Sequence, residues 1–244
     1  MLPSLWSFEC VDCDHCREML TDSNKASAYM NNGLGRLIDH VAQAGYSEQV
    51  YAWEIMNEPE WMIDGTGGST SHTIPLNNLQ SFMKQAVDMV HSKNAIATIG
   101  SASLKWSCNQ GDGCAGNWWG ASGIDFYEVH YYDWMVSGDS KFDPYTFGPD
   151  YWGLDKGLMV GEAPGSSKVK IFGSHTCSES MLYDIAAKVW GYVGNAAWAD
   201  KDSSFDYSAI AQGLHCMEHG WPQDCLPDPN CLKSSVMEEQ EEAE

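Results

Sequence analysis

Residues 51–60 read Tyr-Ala-Trp-Glu-Ile-Met-Asn-Glu-Pro-Glu, a short apolar strand that ends abruptly on Asn-Glu-Pro. The pattern places Glu58 at the carboxyl end of this strand, and Pro59 stops further pairing because it has no N–H to donate. In a parallel α/β barrel, that end of a strand is where catalytic residues lie. A second apolar strand, residues 158–161, is also followed by a carboxylate, Glu162. The sequence therefore predicts two carboxylates at the catalytic face of one barrel.

Strand and helix patterns alternate along the rest of the chain. Strands that alternate with helices form parallel sheets, and six strand–helix units are predicted where a closed barrel has eight. The predicted fold is therefore an α/β, (β/α)8 TIM barrel that is incomplete at its N-terminus. A single barrel domain is expected over residues 1–227, and the acidic tail 228–244 is expected to be disordered. The predicted strands are residues 2–8, 49–56, 95–100, 126–132, 158–161 and 195–199, and the predicted helices are 23–44, 75–91, 178–192 and 205–219. The residues expected on the inward face of the first helix are Tyr29, Leu34, Leu37, Ile38 and Val41, and those of the second are Leu79, Phe82, Met83, Val87 and Val90.

The composition excludes several classes of partner. Acidic residues outnumber basic ones 34 to 13, which gives a formal charge of −21 and argues against nucleic acid or an anionic membrane surface. No apolar run is long enough to span a bilayer, and no signal peptide is visible at the N-terminus. The chain has 11 Trp and 11 Tyr, more aromatic surface than a core hides easily, so some rings are expected to line a groove.

The cysteine count favours an oxidising compartment. Nine cysteines are many for a reduced cytosolic enzyme. Cys108 and Cys114 flank a Gly-rich turn and could form a disulfide, as could Cys225 and Cys231 near the C-terminus, but the sequence leaves the pairing open. The cysteines lie at positions 10, 13, 16, 108, 114, 177, 216, 225 and 231.

A second cysteine group has the spacing Cys-x-x-Cys-x-x-Cys. Cys10, Cys13 and Cys16, with His15 beside them, could hold zinc or an iron–sulfur cluster. No fourth cysteine follows at close spacing, so disulfides in this loop are the expected state and no metal is predicted.

Four motifs in this order resemble the retaining glycoside hydrolases of clan A, most closely glycoside hydrolase family 5, the cellulases and β-mannanases. Asn57-Glu58-Pro59 resembles the fourth-strand motif of that family, and His130-Tyr131-Tyr132 resembles its sixth-strand His-x-Tyr. Gly161-Glu162 resembles the seventh-strand nucleophile. Trp198 resembles the aromatic platform of the eighth strand. The resemblance covers nearly all of the chain up to about residue 220.

The resemblance implies a role for each matching residue. Glu58 would be the general acid and base, and Glu162 the nucleophile, with Tyr132 donating a hydrogen bond that keeps Glu162 ionised. Asn57 and His130 would position substrate hydroxyls. Glu54 and Glu60, which flank the first motif, are not candidates, because one falls inside the strand and the other beyond the proline. No cofactor is implied. The aromatic residues expected to bind sugar are Trp198, Trp61, Trp118, Trp119 and Trp134.

The expected activity is endo-hydrolysis of a β-1,4-linked polysaccharide, mannan or glucan, by double displacement. The family's first two strand–helix units and its second-strand Arg have no counterpart here, so Met1 is expected to begin a truncated form of a secreted enzyme. Open barrel edges would then allow self-association. The alternative is an inactive remnant that serves as a glycan-binding or structural protein.

Overall fold

The computed structural model describes residues 1–68, 70–132, 142–145, 147–164 and 190–198. Two compact units make up the chain, Met1–Val129 and His130–Glu244. The helix predicted at 205–219, nearly all of the one predicted at 178–192, the tail 228–244 and the Cys225–Cys231 pair lie outside the described residues.

Parallel strands form the centre of the first unit. They are β1 (Trp53–Asn57), β2 (Ala97–Ser101) and β3 (Tyr127–His130), whose last residue opens the second unit. Trp53 lies opposite Ala97, and Gly100 lies opposite Glu128. These three strands were predicted, with boundaries a few residues wider. Each is nearly all buried because both faces are covered, as expected for a parallel sheet.

The strand predicted at residues 2–8 is present as an extended segment beside β1. Ser4 lies opposite Glu54 and Ser7 opposite Asn57, both in parallel register. The Asn57 N–H donates to the Trp6 carbonyl at an N···O distance of 2.8 Å. β1 is therefore paired on both sides, and its carboxyl end is fixed from two directions.

The two helices predicted for the first unit are present, and a further helix occupies Asp14–Thr21, in the segment expected to be a cysteine-rich loop. The helix predicted at 23–44 is present, but a turn of π-helix at Met30–Leu34 interrupts it. Leu37 was predicted to face inward and is 44% exposed, because the buried stripe narrows to Leu34 and Ile38, one turn apart. The helices are α1 (Asp14–Thr21), α2 (Ser23–Tyr29), α3 (Gly35–Gln43) and α4 (Leu76–Ser92), with 3-10 turns at Phe8–Asp12, Ser47–Gln49, Pro59–Met62, Leu104–Trp106 and Gly120–Ser122.

α4 covers the sheet of the first unit. All five residues predicted to face inward are buried, which confirms the helical period of 3.6 as the signal for this element. None of the helices in the described parts of the chain is long and apolar enough to cross a bilayer. The five buried residues are Leu79, Phe82, Met83, Val87 and Val90.

The second unit contains two parallel strands, β4 (Leu158–Pro164) and β5 (Gly194–Trp198). Both were predicted, but β4 continues through Glu162 to Pro164 instead of ending at residue 161. The Tyr131 N–H, directly after β3, donates to the Glu162 carbonyl at 2.9 Å, which explains why the strand continues. Parallel strands in each unit, with α4 connecting β1 to β2, confirm the predicted class, an incomplete (β/α)8 barrel.

The cysteines are only partly as predicted. Cys108 and Cys114 form a disulfide, with their Cα atoms 5.8 Å apart. Cys10, Cys13 and Cys16 are free thiols, so the disulfides expected in that loop are not formed among these described residues.

We expect Cys114→Ser to lower the free energy of unfolding by about 2 kcal/mol, because the disulfide closes a short loop and removes its entropy from the unfolded chain. The measurement is urea unfolding followed by Trp fluorescence. Cys13→Ser, at an exposed free thiol, is the matched control and should leave stability within about 0.5 kcal/mol of wild type. Equal stabilities for the two variants would contradict the prediction.

Candidate functional site

Glu58 has an unusual backbone conformation directly after β1. Its φ of 48° and ψ of 49° lie in the left-handed region, which a residue other than glycine adopts at a cost of about 1 kcal/mol or more. The Glu58 N–H donates to the Gly100 carbonyl at the end of β2, at 2.7 Å. Pro59 then starts a 3-10 turn with a fixed φ and no N–H. The chain therefore leaves the strand sharply and presents Glu58 at its carboxyl end.

Trp61 holds the carboxylate of Glu58. The Trp61 indole N–H donates to Glu58 Oε2 at 2.8 Å, and its backbone N–H donates to the Glu58 carbonyl at 3.2 Å. The sequence assigned Trp61 only as an aromatic platform, and the contact with Glu58 was not anticipated. Asn57, the last residue of β1, is half-buried and precedes Glu58 immediately. The three residues of the motif thus lie together where β1 ends.

Glu60, which was not a candidate on sequence grounds, has a buried and fully hydrogen-bonded side chain. Its side chain is fully buried, at 0% exposure. Its Oε1 accepts hydrogen bonds from the Ser101 hydroxyl at 2.6 Å and from the Trp119 indole N–H at 2.5 Å, and its Oε2 accepts one from the Ala102 N–H at 3.0 Å. Burial raises the pKa of Glu60 above its usual 4.5, although all three donors favour the charged form. The carboxyl group of Glu60 therefore links the loop after β1 to the end of β2 and to Trp119 through hydrogen bonds.

A signal for Glu60 was present in the sequence but was indirect. Pro59, Trp61 and Met62 surround it with bulky apolar side chains, which is the composition of a buried turn. A buried Trp also needs an acceptor for its indole N–H, and a nearby acidic residue supplies one. The sequence does not show which Trp pairs with Glu60, because Trp119 lies 59 positions further along the chain.

Trp119 does not fit its predicted role as a sugar platform. Its ring is 1% exposed, and a ring without an open face cannot stack on a sugar, so Trp119 is a core residue that supports Glu60. Trp118 is half-buried and packs on Trp106, with ring centroids 4.5 Å apart. Of these neighbouring rings, Trp118 therefore remains a candidate for contact with a sugar.

Glu162 lies beside His130 and Tyr132, the residues at the end of β3 and just after it. The Tyr132 hydroxyl donates to Glu162 Oε2 at 2.5 Å, which is the hydrogen bond predicted from the sequence. His130 is buried, and its Nδ1 lies 3.4 Å from the same oxygen. A donor at this distance fixes the orientation of the carboxylate of Glu162. His130 therefore lies beside this carboxylate, and its assignment to substrate hydroxyls stays a prediction.

The remaining predicted residues are placed only in part. Trp198 is the last residue of β5, at the carboxyl end of that strand, as predicted for its position in the chain. Trp134 lies outside the described residues.

We expect the stability of this protein to depend on pH through Glu60. Because the pKa of Glu60 is raised in the folded state, its stabilising contribution is complete below pH 4.5 and is lost as pH rises through the folded-state pKa. Urea unfolding between about pH 4 and pH 8 should show wild type losing stability relative to Glu60→Gln as pH rises. The exposed-site control, Glu48→Gln, should follow the wild-type pH dependence. Parallel curves for wild type and Glu60→Gln would contradict this assignment.

Solved structures with the same fold include glycosidases. The structure is similar to a β-1,4-mannanase from the common sea hare Aplysia kurodai, with a TM-score of 0.66 and 21% identity over 81% of this chain. This chain spans 62% of the length of that enzyme. The likeness confirms the barrel fold. No family model matches the sequence, and no curated protein matches it either.

More distant matches were also found. One is a xylanase of glycoside hydrolase family 10 from Bispora sp. MEY-1, with 14% identity over 73% of this chain and 56% of the other, and a TM-score of 0.44. Another is a sugar phosphate isomerase/epimerase from Parabacteroides distasonis, with 12% identity over 82% of this chain and 66% of the other, and a TM-score of 0.45.

Proposed function

We propose that this protein is a retaining glycoside hydrolase that acts on a β-1,4-linked polysaccharide, mannan or glucan. The observation that carries the proposal is the hydrogen bond from Tyr132 to Glu162, because it orients a carboxylate and favours its ionised form. Glu58, at the carboxyl end of β1, is the partner carboxyl group. The parallel strands of a barrel present their carboxyl ends at one face, which is where this chemistry occurs in the fold.

The proposed reaction proceeds in two displacements. Glu162 attacks the anomeric carbon and forms a glycosyl–enzyme ester, while Glu58 protonates the leaving glycosidic oxygen. Glu58, now ionised, then removes a proton from water, which attacks the anomeric carbon and releases Glu162. Asn57 contacts the substrate 2-hydroxyl, and this contact strengthens as positive charge develops on the sugar in the transition state.

The role of His130 in this proposal differs from the first expectation. Because the ring is buried against Glu162, it restricts the rotation of that carboxylate together with Tyr132. Trp61 serves Glu58 in the same way. Each carboxyl group is thus held by neighbouring side chains, which keeps it oriented before substrate arrives. Trp118, Trp134 and Trp198 are the rings proposed to stack on sugars.

Mannan is the first substrate to test. The likeness to a sea-hare β-1,4-mannanase supports it, and a neutral polymer suits a protein with a formal charge of −21. The high cysteine count and the disulfide support secretion as the cellular location.

The second candidate function is glycan binding without turnover. The 11 Trp and 11 Tyr of the chain favour it, because flat aromatic rings can bind sugars without any catalytic group. A protein of this kind would bind the polymer through its aromatic residues and would not depend on Glu162.

We expect wild type to release reducing sugar from soluble mannan, carboxymethyl-cellulose or mixed-linkage glucan. Glu162→Ala should abolish release and retain polymer binding, because the nucleophile is lost while the aromatic contacts remain. Glu58→Ala should lower kcat by about 10²–10⁴-fold, the usual contribution of a general acid. Glu48→Gln is the control and should match wild type.

Binding without any release by wild type would favour the second candidate. Release that survives in Glu162→Ala would contradict the assignment of the nucleophile. The anomeric form of the first product, followed by proton NMR, tests retention separately: a β product is expected, and an α product would exclude the double displacement.

We expect Tyr132→Phe to lower kcat by about 10- to 100-fold, because one hydrogen bond to a charged group contributes about 1.5–3 kcal/mol. Steady-state kinetics on the substrate identified above provides the measurement. Tyr46→Phe, at an exposed tyrosine, is the matched control. A wild-type kcat in Tyr132→Phe would show that this hydrogen bond does not support the nucleophile.

A further inference from the structure

We propose that Glu60 is a positioning residue for Glu58: it ties the chain just beyond Glu58 to the end of β2 and so holds the turn that presents the acid. This inference rests on the proposed role of Glu58 as the acid and base. It assigns a function to a buried carboxyl group that the two-carboxylate mechanism does not use.

The attachment of Glu60 involves its backbone as well as its side chain. Both carboxyl oxygens accept hydrogen bonds, as described above, from the end of β2 and from Trp119. The Glu60 carbonyl also accepts the Thr66 hydroxyl at 2.7 Å and the Ile63 N–H at 2.9 Å. Glu60 therefore fixes both the start of the loop and its contact with the neighbouring strand.

Glu58 lies between two points of attachment to β2. Upstream, its own N–H is bonded to the Gly100 carbonyl. Downstream, Glu60 is bonded to Ser101 and Ala102, the next two residues along the chain. Pro59 lies between the two points and cannot donate a backbone hydrogen bond to β2, because it has no N–H. The carboxyl end of β2 thus holds the left-handed turn from both sides.

The attachment of Glu60 matters because Glu58 has a strained backbone conformation. A non-glycine residue in the left-handed region persists only where surrounding contacts restrain it. Without the downstream attachment, Glu58 can relax to an ordinary φ, which redirects its side chain. Trp61, the residue after Glu60, donates its indole N–H to Glu58 Oε2, so movement of Glu60 also displaces that hydrogen bond.

A carboxyl group is suited to this role because its two acceptor oxygens meet three donors. An apolar residue would leave the indole N–H of Trp119 and the N–H of Ala102 unpaired in the core, at a cost of about 1–3 kcal/mol each. Glutamine has nearly the same shape but replaces one acceptor oxygen with an NH₂ donor. It therefore places a donor against a donor and disturbs the attachment without leaving a cavity.

The test compares two substrates that differ in their need for an acid. Cleavage of an oligosaccharide needs a proton on the leaving sugar oxygen, whereas 2,4-dinitrophenolate leaves from an aryl glycoside without one. Glu60→Gln should lower kcat/KM on the oligosaccharide by about 100-fold, the cost of a misplaced catalytic group, with KM nearly unchanged. On the dinitrophenyl glycoside, kcat/KM of the same variant should fall by less than about threefold.

Two controls sharpen the comparison. Glu48→Gln makes the same chemical change at an exposed position and should match wild type on both substrates. Trp119→Phe keeps an aromatic ring but removes one donor to Glu60. Its kcat/KM should fall on the oligosaccharide and not on the dinitrophenyl glycoside, by less than in Glu60→Gln. Equal losses on both substrates would mean that Glu60 serves folding only, and wild-type rates on both would mean that it holds nothing that catalysis needs. Either result overturns the proposal.

A second readout does not depend on hydrolysis. In the ¹H–¹⁵N spectrum, the Trp61 indole resonance reports its hydrogen bond to Glu58. The resonance should move in Glu60→Gln and remain in place in Glu48→Gln. If wild type cleaves neither substrate, the proposed function fails while this measurement still tests the positioning. An unmoved Trp61 resonance in a folded Glu60→Gln protein would overturn the inference.

Discussion

The attachment of the chain after β1 to the end of β2 is the interaction on which the first unit depends. Pro59 ends the ladder of β1, so the residues beyond it have no sheet partner to fix them. The Glu58 N–H and the Glu60 carboxyl group replace that ladder with hydrogen bonds to three consecutive residues, Gly100, Ser101 and Ala102. The three donors offset part of the energy of burying the carboxyl group, and their hydrogen bonds hold the turn against the end of β2.

In the second unit, the carboxyl group of Glu162 is held in a different way. Glu162 lies within β4, where the Tyr131 N–H bonds its carbonyl, so its backbone is already fixed by the sheet. Only its side chain needs support, and Tyr132 and His130 supply it. The two proposed catalytic carboxyl groups thus differ in how they are held. Glu58 depends on a buried network beyond its strand, and Glu162 on side chains of the segment at the end of β3.

Much of the fold could be predicted because its signals are local. The period of α4 identified its five buried residues, and the apolar runs identified every described strand. The predicted hydrogen bond from Tyr132 to Glu162 came from the family resemblance and is present. The misplaced residues are those whose environment depends on distant parts of the chain. Leu37 belongs to an apolar pattern yet faces outward. Trp119 has an aromatic ring suited to stacking on a sugar, yet it is buried.

The sequence by itself determined the positions of the described strands and of α4, and it placed Glu58 directly after an apolar strand. Each of these depends on neighbours within a few residues, whose chemistry the sequence displays directly. Only the tertiary structure decided that Glu60 is buried and that Trp119 is its partner. Burial and long-range hydrogen bonds arise when segments far apart in the chain pack together. The distance between two residues in the folded protein cannot be calculated from their separation along the chain.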